Sequence, residues 1–127
     1  MIVLWEGKGS WFVDSKIARG ASAEAAAAQL LAAAGYTVVE RNFRCKVGEL
    51  DIIARDRGVL VFVEVRSRSD ADHGSAAEMI RRTKQRRVVR VARYYLATIE
   101  PVFDECRFDI VAVTAGEAIL LKDAFRA

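Results

Sequence analysis

The chain is short of several things. In 127 residues it has one proline, eight glycines, two cysteines and one histidine. So little Pro and Gly excludes a collagen-like or low-complexity chain, and a hydrophobic fraction of 53% excludes a disordered one. Cys45 and Cys106 cannot build a disulfide framework, so a reducing cytoplasm is the expected compartment. With His73 they lack zinc-ligand spacing, and both are expected to be buried or half-buried thiols. A single histidine gives little support to a His-based metal site or a catalytic triad. No apolar run approaches the length of about 18 residues that reads as a membrane span. The first residues lack the basic-then-apolar order of a signal peptide. Neither GxGxxG nor GxxxxGK[ST] occurs, which leaves no phosphate-loop fingerprint.

What is present is concentrated positive charge. The net charge is +3, yet nine Lys and Arg between Arg66 and Arg93 face only Asp70, Asp72 and Glu78. Arg is the commoner of the two basic residues, and its planar fork suits bidentate phosphate contacts. Such a segment points to a polyanion, with nucleic acid the usual one. A solvated helix face is the plainer alternative.

The length suits one domain. Residues 1–19 have no clear period and read as an N-terminal extension, whose Trp5, Trp11 and Phe12 could pack on the domain or on a partner. Residues 20–127 read as a single domain. Ala23–Ala34 is nearly pure helix former and ends at Gly35. Tyr36–Arg44, Gly48–Arg55 and Val59–Ser67 read as strands, with Arg57-Gly58 as a two-residue hairpin turn. Ser69–Ser75 is a loop, whose Asp70-x-Asp72-His73-Gly74 lacks the remaining positions of a calcium loop. Ala76–Ile99 has a helical period, with Ile80, Lys84, Val88, Val91 and Tyr95 on one stripe, and Pro101 stops it. Arg107–Thr114 and Ala118–Lys122 are further strands. The order is α-β-β-β-α-β-β, an α/β chain.

Strand alternation places Glu49, Asp51 and Ile53 on one face, and Phe62, Glu64 and Arg66 on one face of the next strand. A two-residue turn sets Asp51 opposite Glu64 and Glu49 opposite Arg66. Two carboxylates about 5 Å apart at their Cβ atoms are destabilising unless something intervenes. One carboxyl could be protonated, a basic side chain could neutralise it, or a cation could lie between them. Two carboxylates with a backbone carbonyl and waters suit Mg²⁺. The plainer arrangement is a salt-bridged sheet face, Glu49 with Arg66 and one acid with Lys84. Lys84 and Glu24 both stand on apolar helix stripes, where charged groups are rarely left unpaired. Arg82, Arg86, Arg90 and Arg93 run along the other side of the second helix as a candidate phosphate track. Tyr95 belongs to the core stripe, and Tyr94 is freer to stack on bases.

Gly20-x3-Glu24, Gly35-Tyr36, Arg41-Asn42, Gly48-Glu49-Leu50-Asp51, Phe62-Val63-Glu64-Val65-Arg66, Gly74, Lys84 and Arg107-Phe108-Asp109 form an ordered set. The set resembles the UPF0102 (YraN) family from about Gly20 to Phe125. That family is similar in fold to the restriction-endonuclease-like, PD-(D/E)xK nucleases, in particular archaeal Holliday junction resolvases. The resemblance implies a central mixed sheet flanked by helices and an endonuclease-like protein acting on structured or branched DNA with Mg²⁺ or Mn²⁺. It implies Asp51 and Glu64 as metal-binding acids, Glu24 as an extra helix-borne acid, and Lys84 as the helical lysine. Arg66 stands where the superfamily motif has Lys; Arg can stabilise charge but cannot act as a base. A non-catalytic nucleic-acid-binding module with a degenerate nuclease site is the alternative. Cutting two strands requires two sites, which by analogy implies a homodimer. No membrane partner is expected.

Overall fold

The computed structural model describes residues 2–5, 10–14, 22–67, 80–114 and 117–127, with side chains described for 22–67, 80–113 and 117–127. Gly20, the Ser69–Ser75 loop with Gly74, residues 76–79 of the expected second helix, and the Trp5, Trp11 and Phe12 side chains lie outside the described residues.

Helix α1 covers Ala23–Ala33. Ser22 caps it, its hydroxyl accepting from the Ala25 N–H at 3.1 Å, and Gly35 closes it with φ +94, open to glycine at little cost. Three antiparallel strands follow: β3 (Thr37–Cys45), β4 (Gly48–Asp56) and β5 (Val59–Ser67). Helix α2 (Arg82–Ile99) crosses back so that β6 (Glu105–Thr114) pairs parallel with β5, and β7 (Glu117–Phe125) returns antiparallel. The α-β-β-β-α-β-β order and the mixed α/β sheet agree with the sequence pattern.

The N-terminal stretch departs from it. Ile2–Trp5 (β1) and Ser10–Asp14 (β2) pair antiparallel, and β2 pairs with β7, so the sheet has the order β1-β2-β7-β6-β5-β4-β3. Two such short segments offer too few residues for alternation to declare itself.

The helices cover opposite faces of the sheet. Ala26, Ala27, Leu30 and Leu31 of α1 pack with Ile52, Ala54, Val61, Val63, Val111 and Leu120. Val88, Val91, Ala92 and Tyr95 of α2 pack with Leu50, Ile53, Leu60, Phe62, Phe108 and Ile110. Tyr95 meets Phe43 and Phe62 edge-on, at ring centroids 5.1 and 6.0 Å apart. Helix α2 begins later than its periodicity suggests, because Arg81 has extended backbone (φ −67, ψ 152) and makes no side-chain cap bond. It ends at Glu100 in the left-handed region, one residue before Pro101.

Candidate functional site

The hairpin turn is as expected. Arg57 has φ +60, and the β4–β5 ladder runs from Asp56 opposite Val59 to Ile52 opposite Val63. By the alternation of an antiparallel pair, the Val65 N–H would next meet the Leu50 carbonyl. It donates instead to Asp51 Oδ2, at 2.8 Å. The Asp51 carboxylate replaces a rung of the ladder and is tied to the strand that carries Glu64.

The regular alternation fails at the same point. Leu50 packs beneath α2 with Ile53, although strict alternation would put it on the face of Ile52. Across the ladder Arg41 pairs with Ile52 and Phe43 with Leu50, while Asn42 between them has φ +56. A left-handed residue turns its successor to the other face, so both strands change sides here. Gly48 starts β4 with φ +146, and a Cβ there would lie 2.8 Å from Val91 Cγ2. Only glycine lets α2 approach this end of the sheet so closely.

Beneath α2 these distortions open a cleft of about 510 Å³ lined by Gly48, Glu49, Asp51, Glu64, Lys84 and Arg87 among others. Glu64 is 7% exposed. Lys84 Nζ lies 2.9 Å from its Oε2. Burial pushes the Glu64 carboxyl up to about 7; the neighbouring Asp51 charge adds to this, and Lys84 opposes it. The cleft thus brings Asp51 and Glu64 together beside Lys84, with Glu49, Arg44 and Arg87 also on its walls. Oxygen donors suit a hard divalent cation, and two carboxylates are enough for Mg²⁺, which keeps several of its own waters. On donor chemistry, Asp51 and Glu64 fit such an ion.

The other expected site residues fall around this pair. Arg66 follows Glu64 on β5 and borders an adjoining recess with Lys84 and Arg87. Glu49 meets Arg44 across the β3–β4 ladder at 3.2 Å, while the β4–β5 ladder that would set it opposite Arg66 ends at Ile52 and Val63. Glu24 does not line the cleft. Its Oε1 lies 3.8 Å from Arg41 Nε, buried and without a hydrogen bond. Among the described residues no three His, Cys, Asp or Glu side chains converge, so Glu24 does not join Asp51 and Glu64. Helix α1 packs on the far face of the sheet, which keeps Glu24 there.

Arg82, Arg86, Arg90 and Arg93 are exposed along α2, and none forms an ion pair with a described residue. They border a second groove, of about 430 Å³, with Arg126 from the chain's end. Sequence reasoning missed Arg126, which is remote in sequence; its Nη2 donates to Asp123 Oδ2 at 2.7 Å. Helix α2 has no acid in its first turn. Cations there oppose the helix dipole at about 0.3–1 kcal/mol each, a cost that a bound anion would remove. Cys45 is half-buried; Cys106, the second residue of β6, is exposed, contrary to expectation.

A separate polar network closes the β4–β6–β7 region on the α1 side. Asp109, fully buried, accepts from the Tyr36 hydroxyl at 2.7 Å, from Arg107 Nε at 2.9 Å and from the Asp123 N–H at 2.9 Å. Arg107 also donates to Asp56 Oδ2 at 2.9 Å, as Lys122 does at 3.1 Å. Burial raises the Asp56 carboxyl, but the bonds from Arg107 and Lys122 outweigh it and hold the group below its ordinary value. Burial, then the Asp109 charge, pushes the Tyr36 hydroxyl well up. The Gly35-Tyr36 and Arg107-Phe108-Asp109 motifs meet here, a union that their separation in the chain concealed.

Fold and site together define an α/β domain whose mixed sheet, covered by a helix on each face, opens a paired-carboxylate cleft beside a cationic helix. Residues 23–113 match the profile of Uncharacterised protein family UPF0102. The chain is 43% identical over 114 residues to a UPF0102 protein of Lachnoclostridium phytofermentans, covering 89% of this chain and 97% of that one. It is 50% identical over 114 residues to one of Cupriavidus taiwanensis, covering 89% and 86%. It belongs to the UPF0102 family. Among the described residues no helix is long and apolar enough to cross a membrane.

Proposed function

We propose that the protein binds structured DNA and hydrolyses its phosphodiester backbone with the help of Mg²⁺ or Mn²⁺. The observation that carries this reading is the meeting of Asp51 and Glu64 in a cleft walled by a cationic helix. A divalent ion held by the two acids would stabilise charge on the scissile phosphate and ease deprotonation of water. Val65 keeps Asp51 oriented through its N–H. Lys84, 48% exposed, can turn from Glu64 to a phosphate oxygen. The Arg66 guanidinium adds to the stabilisation of the phosphate. Arg82, Arg86, Arg90 and Arg93 hold the rest of the backbone. Cutting both strands requires a second copy of the chain.

Asp51→Asn keeps an acceptor for Val65 but removes the charge. It is expected to abolish Mg²⁺-dependent cleavage of four-way-junction and flap DNA while retaining binding. Cleavage by this variant at the wild-type rate would refute the assignment.

A second reading, a binding module without catalysis, is favoured by Arg66 in place of lysine and by the Lys84 counter-charge already set against Glu64. It predicts strongly salt-dependent binding and no Mg²⁺-dependent product from any substrate.

A further inference from the structure

We infer that α2 lies across the major groove of a B-form DNA duplex, between the two phosphate backbones. This rests on the nucleic-acid part of the reading above and adds the form of the ligand.

The exposed cations of α2 are divided between two flanks. Lys84 and Arg87 face the carboxylate cleft, while Arg82, Arg86, Arg90 and Arg93 face the groove that Arg126 closes. At about 100° per residue, Val88, Val91, Ala92 and Tyr95 point down into the core, and Thr83 stands exposed beside Arg90 near the crest, between the two groups of cations. No acidic residue interrupts the helix. A single strand has one backbone and can use one flank at a time. A B-form duplex presents a backbone on either side of its major groove, which at about 12 Å wide admits a helix about 10–12 Å across. The deep, narrow major groove of an RNA duplex does not. In this pose one backbone runs past the cleft of Asp51 and Glu64, the other past Arg126, and Thr83 faces the base edges.

The test is binding in EDTA, read by fluorescence anisotropy, so catalysis plays no part. The ligands are a 20-base-pair DNA duplex, one of its strands, an RNA duplex of the same sequence, and the DNA duplex with glucosylated 5-hydroxymethylcytosine filling its major groove. The proteins are wild type, Arg86→Gln/Arg90→Gln and Arg87→Gln, with helicity checked by circular dichroism. The double variant is expected to bind the duplex at least tenfold more weakly, with its log–log salt slope reduced by about 2. Arg87→Gln is expected to reduce that slope by about 1. Single-strand affinity is expected to fall less than duplex affinity in each variant, since a strand displaced from one flank can still use the other. RNA duplex and glucosylated DNA are expected to bind at least tenfold more weakly than plain duplex. Equal losses on duplex and single strand, or undiminished binding of RNA duplex or glucosylated DNA, would overturn the inference while leaving nucleic-acid binding intact. Failure of wild type to bind any of the four at low salt would overturn both.

Discussion

Glu64→Gln separates the charge of the cleft from its shape. The carboxyl is pushed from 4.5 in the unfolded chain to about 7 in the folded protein by burial and by Asp51. Below pH 4.5 both states hold the proton and nothing is lost. Between the two values the folded state binds more protons than the unfolded one, so stability falls as pH rises and levels off above about 7. At 1.36 kcal/mol per pH unit the loss is about 3 kcal/mol. In a domain of this size that is roughly 10 °C in melting temperature. Glutamine keeps the size of the side chain and does not titrate. Lys84, half in water, can be solvated when its partner becomes neutral. Melting temperatures of wild type and Glu64→Gln, measured in EDTA from pH 4 to pH 8.5, are therefore expected to diverge between about pH 4.5 and 7, the variant gaining on the wild type. Parallel profiles would refute the argument that Asp51 and burial confine this charge.

Three further outcomes are expected. Asp109→Asn leaves Arg107 and Tyr36 with mismatched partners in a dry site, and breaking such a buried pair costs about 3–5 kcal/mol in urea unfolding. Gly48→Ala forces a Cβ against Val91 at 2.8 Å in a backbone conformation unsuited to alanine; overpacking of this kind costs about 1–3 kcal/mol. Its effect is expected on binding as well as on melting, because it moves α2 relative to the cleft. Lys84→Gln leaves Glu64 without its counter-ion, so its destabilisation is expected to be larger at pH 8 than at pH 5, as thermal melts at the two pH values would show.

The strands were legible where local chemistry governs them. Arg57-Gly58 sets the hairpin register, and from Ile52 to Asp56 that register holds residue by residue. The rule of two fails at Leu50, because the cause lies on another strand, at the left-handed Asn42. Asp51 and Glu64 were still correctly juxtaposed, since each follows from the turn through only a few residues. Lys84 was legible as an inward-pointing charge on an apolar stripe. Glu24 was not placeable, because the sequence does not say which face of the sheet a helix covers. The same ignorance hid Arg126, which reaches the Arg82–Arg93 flank only through the position of β7. Tyr36, Arg107 and Asp109 were visible as separate motifs, but hydrogen bonds spanning more than 70 residues leave no local trace.

The most direct test of the paired-carboxylate cleft is calorimetric titration of Mn²⁺ into wild type, Asp51→Asn and Glu64→Gln at pH 7.5, paired with thermal melts. Wild type is expected to bind one ion per chain and to melt higher as Mn²⁺ is raised, since a ligand of the folded state alone stabilises it by mass action. Both variants are expected to lose that heat and that shift. Wild-type affinity surviving in either variant, or no binding by wild type at millimolar Mn²⁺, would contradict the account.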